Sequence, residues 1–191
     1  MDTRILIPVV VIVAILVVVA VALAMRRRRI EHRTDQLKRR FGPEYDRTVL
    51  QQHGDSRLAE AKLADREKRV EAFPLRSLSA VDREAYAMEW AAVQRRFVDD
   101  PSAAVGTADR LVGRVMIERG YPMTHFEQRA ADISVSYPAV VQNYRAAHEI
   151  AIRDGRGQST TEDLRKAMVS YRDLFEDLLE QPVDKPVEVR R

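Results

Sequence analysis

Apolar residues follow two different rules along this chain. From Ile5 to Met25, twenty-one consecutive residues carry no charge, hydroxyl or amide. Coiled as a helix at about 1.5 Å per residue, the run is about 31 Å long, close to the hydrocarbon thickness of a bilayer, and it predicts one transmembrane span. Pro8 falls in its first turn, where a missing N–H costs least. Beyond Met25 the apolar residues recur three or four apart between charged ones. The pattern predicts a mainly α protein: one N-terminal transmembrane helix, then a helical domain of about five or six helices.

The basic stretch Arg26 to Phe41 continues the first helix until Gly42-Pro43 interrupts it. Pro43 suits a first helical position, and a helix from there ends before Gly54. Asp55 or Ser56 caps a charged helix running to Phe73, with Asp65 and Arg69 as an i,i+4 pair and Pro74 as the stop. Its apolar face of Leu63, Val70 and Phe73 is narrow, as in a stalk or an outer packing layer. Ser79 and Asp82 open the next helix, in which Tyr86, Trp90, Val93 and Phe97 make a stripe at spacings of four, three and four. Asp100-Pro101 starts another, with Ala104, Ala108, Leu111 and Val115 on one side and a stop at Gly120. Gly106 and Gly113 inside it either weaken it by up to about 1 kcal/mol each or admit a close neighbour.

Thr124 with Glu127 reads as a second cap, for a short helix through Ala131 and Asp132. Ile133-Ser134-Val135-Ser136-Tyr137 then alternates like a strand. A single strand makes no sheet, so the segment is expected to be an extended connector. Pro138 begins a helix carrying Val141, Tyr144 and Ala151, and Gly155-Arg156-Gly157 forms a loop. Ser159 and Glu162 cap the last helix, whose Leu164, Met168, Tyr171, Phe175 and Leu178 share a face. From Pro182 the chain is too poor in apolar residues to order itself. The expected organisation is an anchor over 1–25, a basic juxtamembrane helix over 26–41, a charged stalk or outer layer over 42–75, a core over 76–181 and a disordered tail over 182–191. Trp90, Phe97, Leu111, Tyr144, Met168 and Phe175 are the expected centre of the core.

Charge adds a direction. The chain's net +3 conceals segregation: residues 26–41 hold eight basic against two acidic side chains, +6, while Arg4 cancels Asp2 in residues 1–25, leaving −3 for residues 42–191. Arg26, Arg27, Arg28 and Arg29 thus form a basic collar directly after the span. By the positive-inside rule the N-terminus faces out and the domain lies on the cytoplasmic side of the cell membrane. The collar's other expected contact is with anionic lipid headgroups, at about 1 kcal/mol per basic residue. A cleaved signal peptide is the rival reading, since Ala22-Leu23-Ala24 imitates a cleavage site. The length of the apolar run and the four arginines behind it oppose that reading.

Chemistry-bearing motifs are scarce. With no cysteine there is no disulfide framework, thiolate zinc site or cysteine nucleophile. His32, His53, His125 and His148 stand at no recognised ligand spacing, and His148-Glu149 begins a zincin-like motif that fails at Ile152. Neither a phosphate loop, a GxGxxG nor a G-x-S-x-G occurs, so no cofactor or metal is expected. The acidic domain, with its aromatics on apolar stripes, is not expected to bind nucleic acid.

Two stretches, FGPEYDRTV (Phe41 to Val49) and HFEQRAADIS followed by YPAVVQNYRAAHEI (His125 to Ile150), resemble an uncharacterised family of small bacterial proteins, often with an N-terminal membrane helix. Trp90 to Pro101 and Arg69-Val70-Glu71 extend the likeness over most of residues 41–180; His125 and Ser136 depart from it, standing where acidic residues are expected. The resemblance implies a bacterial, membrane-tethered helical domain and carries no catalytic residues with it. The expected function is therefore an interaction or scaffold module held at the cytoplasmic membrane surface, with a membrane-anchored enzyme lacking a recognisable motif as the alternative. Its possible partner contact is Phe126, Glu127, Arg129 and Asp132, an apolar anchor flanked by charges; alternatively Phe126 is core and the charges are a solvated face.

Overall fold

The computed structural model describes residues 20–25, 28, 31–122 and 124–180. The predicted span from Ile5 to Met25 lies mostly outside them, as does the tail over 182–191. Residues 20–25 and 31–41 are helical, and no helix among the described residues is long and apolar enough to cross a membrane. Residues 40–191 form one compact unit and 1–39 another.

The larger unit is all-helical among its described residues. Its elements are α1 (Pro43–Gln51), α2 (Ser56–Glu71), α3 (Ala80–Arg96), α4 (Pro101–Glu118), α5 (Phe126–Ser136), α6 (Val141–Asp154) and α7 (Thr161–Glu180). These seven exceed the expected five or six because the α1–α2 hairpin packs onto the domain. The caps explain most of the starts. Asp55, Ser79 and Asp100 accept from the backbone N–H three residues on and open α2, α3 and α4. Pro43 and Pro101 occupy first-turn positions, where no N–H is needed.

Four expectations about helix ends need correction. The helix after residue 124 has His125 at its N-cap, with no side-chain cap, and runs on to Ser136. Ile133 to Ser136, expected as an extended connector, therefore form its second half. Their alternation also satisfies a helical period: Ala130, Ile133, Ser134 and Tyr137 fall on one face and are all buried. Ser134 fits there because its hydroxyl donates to the Ala131 carbonyl at 2.6 Å. In α6 the first helical residue is Val141, not Pro138. The last cap is shifted by one residue: Thr160 and Asp163 exchange reciprocal bonds of 3.1 Å, while Ser159 donates to the Ile150 carbonyl at 3.2 Å.

α4 is the central element. Ala104, Val105, Ala108, Leu111, Val112, Val115 and Met116 are all buried, against α3 on one side and α6 and α7 on the other. α6 and α7 pack along each other, Tyr144 meeting Tyr171 edge-on at 6.1 Å. α3 contributes Trp90, stacked on Phe175 of α7 at 4.7 Å, and Val93, while Tyr86 and Phe97 are half-buried at the margin. α2 packs against α1 and α5, and α1 also touches α6. Arg69 of α2 reaches Asp132 of α5 instead of the expected Asp65.

Gly120 ends α4 at φ 91°, and the segment between α2 and α3 passes so close that an added Cβ would lie 2.4 Å from the Pro74 carbonyl oxygen. Gly106 differs: a Cβ there meets only Arg110 Nη1, at an ordinary 3.6 Å. Two stability measurements follow. Trp90→Ala should cost about 3–5 kcal/mol in urea unfolding, a large apolar deletion with a cavity left behind. Gly120→Ala should cost about 2 kcal/mol or more, because left-handed strain adds to a backbone clash, whereas Gly106→Ala should gain up to about 1 kcal/mol. Equal effects at the two glycines would contradict this packing.

Candidate functional site

The residues expected to form a partner contact stand on α5, and the fold turns them in two directions. Glu127 and Asp132 face the α1–α2 hairpin. Asp132 is buried and takes two bonds from Arg69, Nε at 2.9 Å and Nη2 at 2.6 Å, with a third from Gln128 at 2.8 Å. Glu127 keeps an exposed side chain and accepts from Arg145 Nη1 at 2.7 Å, with Arg47 at 3.7 Å. Phe126 and Arg129 turn towards α6. The Phe126 ring stacks on His148 at 3.5 Å and 8°, touches Tyr144 at 5.0 Å, and carries the Arg129 guanidinium 5.9 Å from its centroid. Of the basic collar, Arg28 is helical and exposed, and Arg26, Arg27 and Arg29 lie outside the described residues.

Beside α5 lies the most buried carboxylate among the described residues. Glu44, 0% exposed, accepts from Arg66 of α2 at 2.9 Å, from Arg145 Nη2 of α6 at 3.1 Å and from Gln142 at 3.0 Å. One carboxylate thus ties three helices. Burial lowers the Arg66 guanidinium's affinity for its proton, and the adjoining Glu44 charge opposes that. Sequence reasoning missed Glu44, because an acid in the first turn of a helix ordinarily complements the helix dipole from the surface. Only the chain's return through α6 closes the site over it.

A second polar cluster joins α4, α6 and α7. Tyr171 donates to Asp109 Oδ1 at 3.0 Å, and His148 Nδ1 lies 3.8 Å from the same oxygen. Burial pushes the Asp109 carboxyl up, but the His148 and Tyr171 side chains, with Arg129, outweigh it and hold the carboxyl below its ordinary value. Burial drives the Tyr171 phenol well above its ordinary range, Asp109 adding to the effect, and raises Tyr144 to about 12. The Tyr144 hydroxyl, Arg129 Nε and His148 Nδ1 are buried without a hydrogen-bond partner among the described residues. Gly113 lies against Arg129, an added Cβ standing 3.6 Å from Nη1. This cluster can hold and orient charge. No grouping of three metal-ligating side chains occurs among the described residues.

The third feature is on the surface. α3 carries a second apolar stripe, Val81, Ala85, Met88 and Ala92, again at spacings of four, three and four, roughly 140° round the helix from the Trp90 stripe. All four residues are exposed, Val81 at 76% and Met88 at 62%. The sequence held this signal, but the aromatic stripe claims the helix's inward face first and two alanines do little to announce another. The fold and these features define an all-α domain cross-braced by buried ion pairs, with one helix apolar on both sides. Comparison with models of known families, with curated proteins and with solved structures finds no match.

Two measurements probe the polar networks. Glu44→Gln leaves two arginine side chains facing a neutral group and should cost about 3–5 kcal/mol in urea unfolding; a loss under about 1 kcal/mol would show the network to be dispensable. Asp109, depressed in the fold, contributes stability above its unfolded value of about 4 and loses it as pH falls through the lower folded value. Acid unfolding followed by circular dichroism should therefore be less steep below about pH 4 in Asp109→Asn than in the wild type.

Proposed function

We propose that the chain is a membrane-tethered interaction module whose helical domain offers the outer stripe of α3 to a protein partner at the cytoplasmic surface. The observation that carries this reading is that stripe. An ordinary surface helix buries one apolar face and solvates the other, and α3 keeps a second apolar line in water, at a cost in solubility that a docked partner removes. Phe126, Glu127, Arg129 and Asp132 suit docking less well, because Asp132 is buried under Arg69 and the Phe126 ring is stacked on His148. Their chemistry serves the domain's own cohesion.

Tethering rests on the sequence: the apolar run to Met25 and the collar Arg26 to Arg29, which favours a cytoplasmic domain and contact with anionic headgroups. The likeness of FGPEYDRTV and HFEQRAADIS to a family of small bacterial membrane-tethered proteins supports the same reading. The enzyme alternative draws on one observation, the Asp109–His148–Tyr171 cluster with its buried Tyr144 hydroxyl. That cluster abuts a filled aromatic core, which favours a structural role for it.

Orientation is tested by fusing reporters after Arg191. A fluorescent protein that matures only in the cytoplasm should light up, and a phosphatase active only outside should stay silent. Neutralising Arg26 to Arg29 should mix the two signals. Phosphatase activity in the wild type would overturn the orientation.

A further inference from the structure

Resting on the reading of α3 as a docking element, we infer that its partner is a second copy of this chain, bound as an antiparallel two-fold helix pair. The order of side chains along the stripe carries the argument. A two-fold axis passing between Tyr86 and Ala87 sets Val81 level with Ala92 of the second copy and Ala85 level with its Met88. Each layer then joins one large residue to one alanine, four times over, so the two helices keep one spacing along the seam. Parallel pairing stacks Val81 on Val81 and Met88 on Met88 with empty alanine layers between them, alternating overcrowded and unfilled levels.

Charge points the same way. Written as a coiled-coil seam, the stripe places Asp82 and Arg96 beside it near opposite ends of the helix. Antiparallel association sets Asp82 of each copy about 3 Å along the seam from the level of Glu89 of the other copy and about 7.5 Å from that of Arg96, a span the long arginine side chain covers. Parallel association would instead bring Glu84 of one copy towards Glu89 of the other. Glu89 is already neutralised within its own chain by Arg114, so in the antiparallel pair it adds little repulsion.

The seam is short. A helix of 17 residues is about 26 Å long, and such a pair buries less than the roughly 800 Å² per partner of a standard interface. Association of the isolated domain should accordingly be weak, and confinement of the full chain to a membrane would raise its effective concentration.

The chain has no cysteine, so crosslinking can be directed residue by residue. In the full chain, expressed in bacterial cells and treated with copper–phenanthroline, the variant carrying both Val81→Cys and Ala92→Cys should give a disulfide-linked dimer. Either substitution alone should not, because like residues lie about 16 Å apart along an antiparallel seam, beyond disulfide reach. Met88→Glu added to the double variant should cut the dimer about tenfold or more, by burying a charge in the seam, while Leu50→Glu, at an exposed site on α1, should leave it unchanged. Single-cysteine dimers as strong as the double variant's, or a dimer indifferent to Met88→Glu, would overturn the pairing. Crosslinks only to a different protein, lost on Met88→Glu, would overturn the second copy as partner while leaving α3 as a docking element. No Met88-dependent crosslink of any kind would overturn both.

Discussion

Glu44 is the group on which the rest of the domain turns. A carboxylate taken wholly out of water loses hydration worth several kcal/mol, and a core tolerates it only if positive charge and hydrogen-bond donors replace the lost water. Here Arg66, Arg145 and Gln142 do so, and each comes from an element that Glu44 does not share. The requirement works in both directions. Satisfying Glu44 holds α1 against α2 and α6, and Arg145, once placed, extends the network to Glu127 of α5. Ion pairs of this kind contribute less to net stability than apolar residues of equal volume would. They penalise every arrangement in which one partner is missing, and so they select one register of helix on helix.

α5 transmits that selection inward. Glu127 and Asp132 on one side meet the arginines of α6 and α2, while Phe126 and Arg129 on the other lie over His148 and beside the Asp109–Tyr171 pair. The two polar clusters therefore bracket one short helix. This explains why residues that look like a charged surface patch in sequence serve chiefly to fasten the hairpin and the aromatic centre together. It also leaves Val81 and Met88 of α3 exposed to water.

Much of the architecture was legible in the chain itself. Asp55, Ser79 and Asp100 marked helix starts because a short polar side chain before a helix meets an N–H three residues on, a purely local geometry. The stripes of α4 and α7 were legible for a similar reason, since period alone separates a helix's two sides. Ile133 to Tyr137 misled because the same five residues fit a period of two and a helical period equally well. The tie is broken by the burial of Ile133, Ser134 and Tyr137 in the packed domain, which no short window contains.

What the sequence determined by itself was thus the helical class of the domain, most of its boundaries, the core stripe through Trp90, Leu111, Tyr144, Met168 and Phe175, and the segregation of basic charge next to the long apolar run. These are local properties, fixed by neighbours within a turn or two. Tertiary structure alone decided that Glu44 is buried, that Arg69 chooses Asp132 over Asp65, that Phe126 is stacked on His148, and that the Val81–Met88 stripe faces water. Each depends on residues tens of positions distant, up to 101 for Glu44 and Arg145. Electrostatic pairing and burial act through space, so such choices become defined only when the helices have packed.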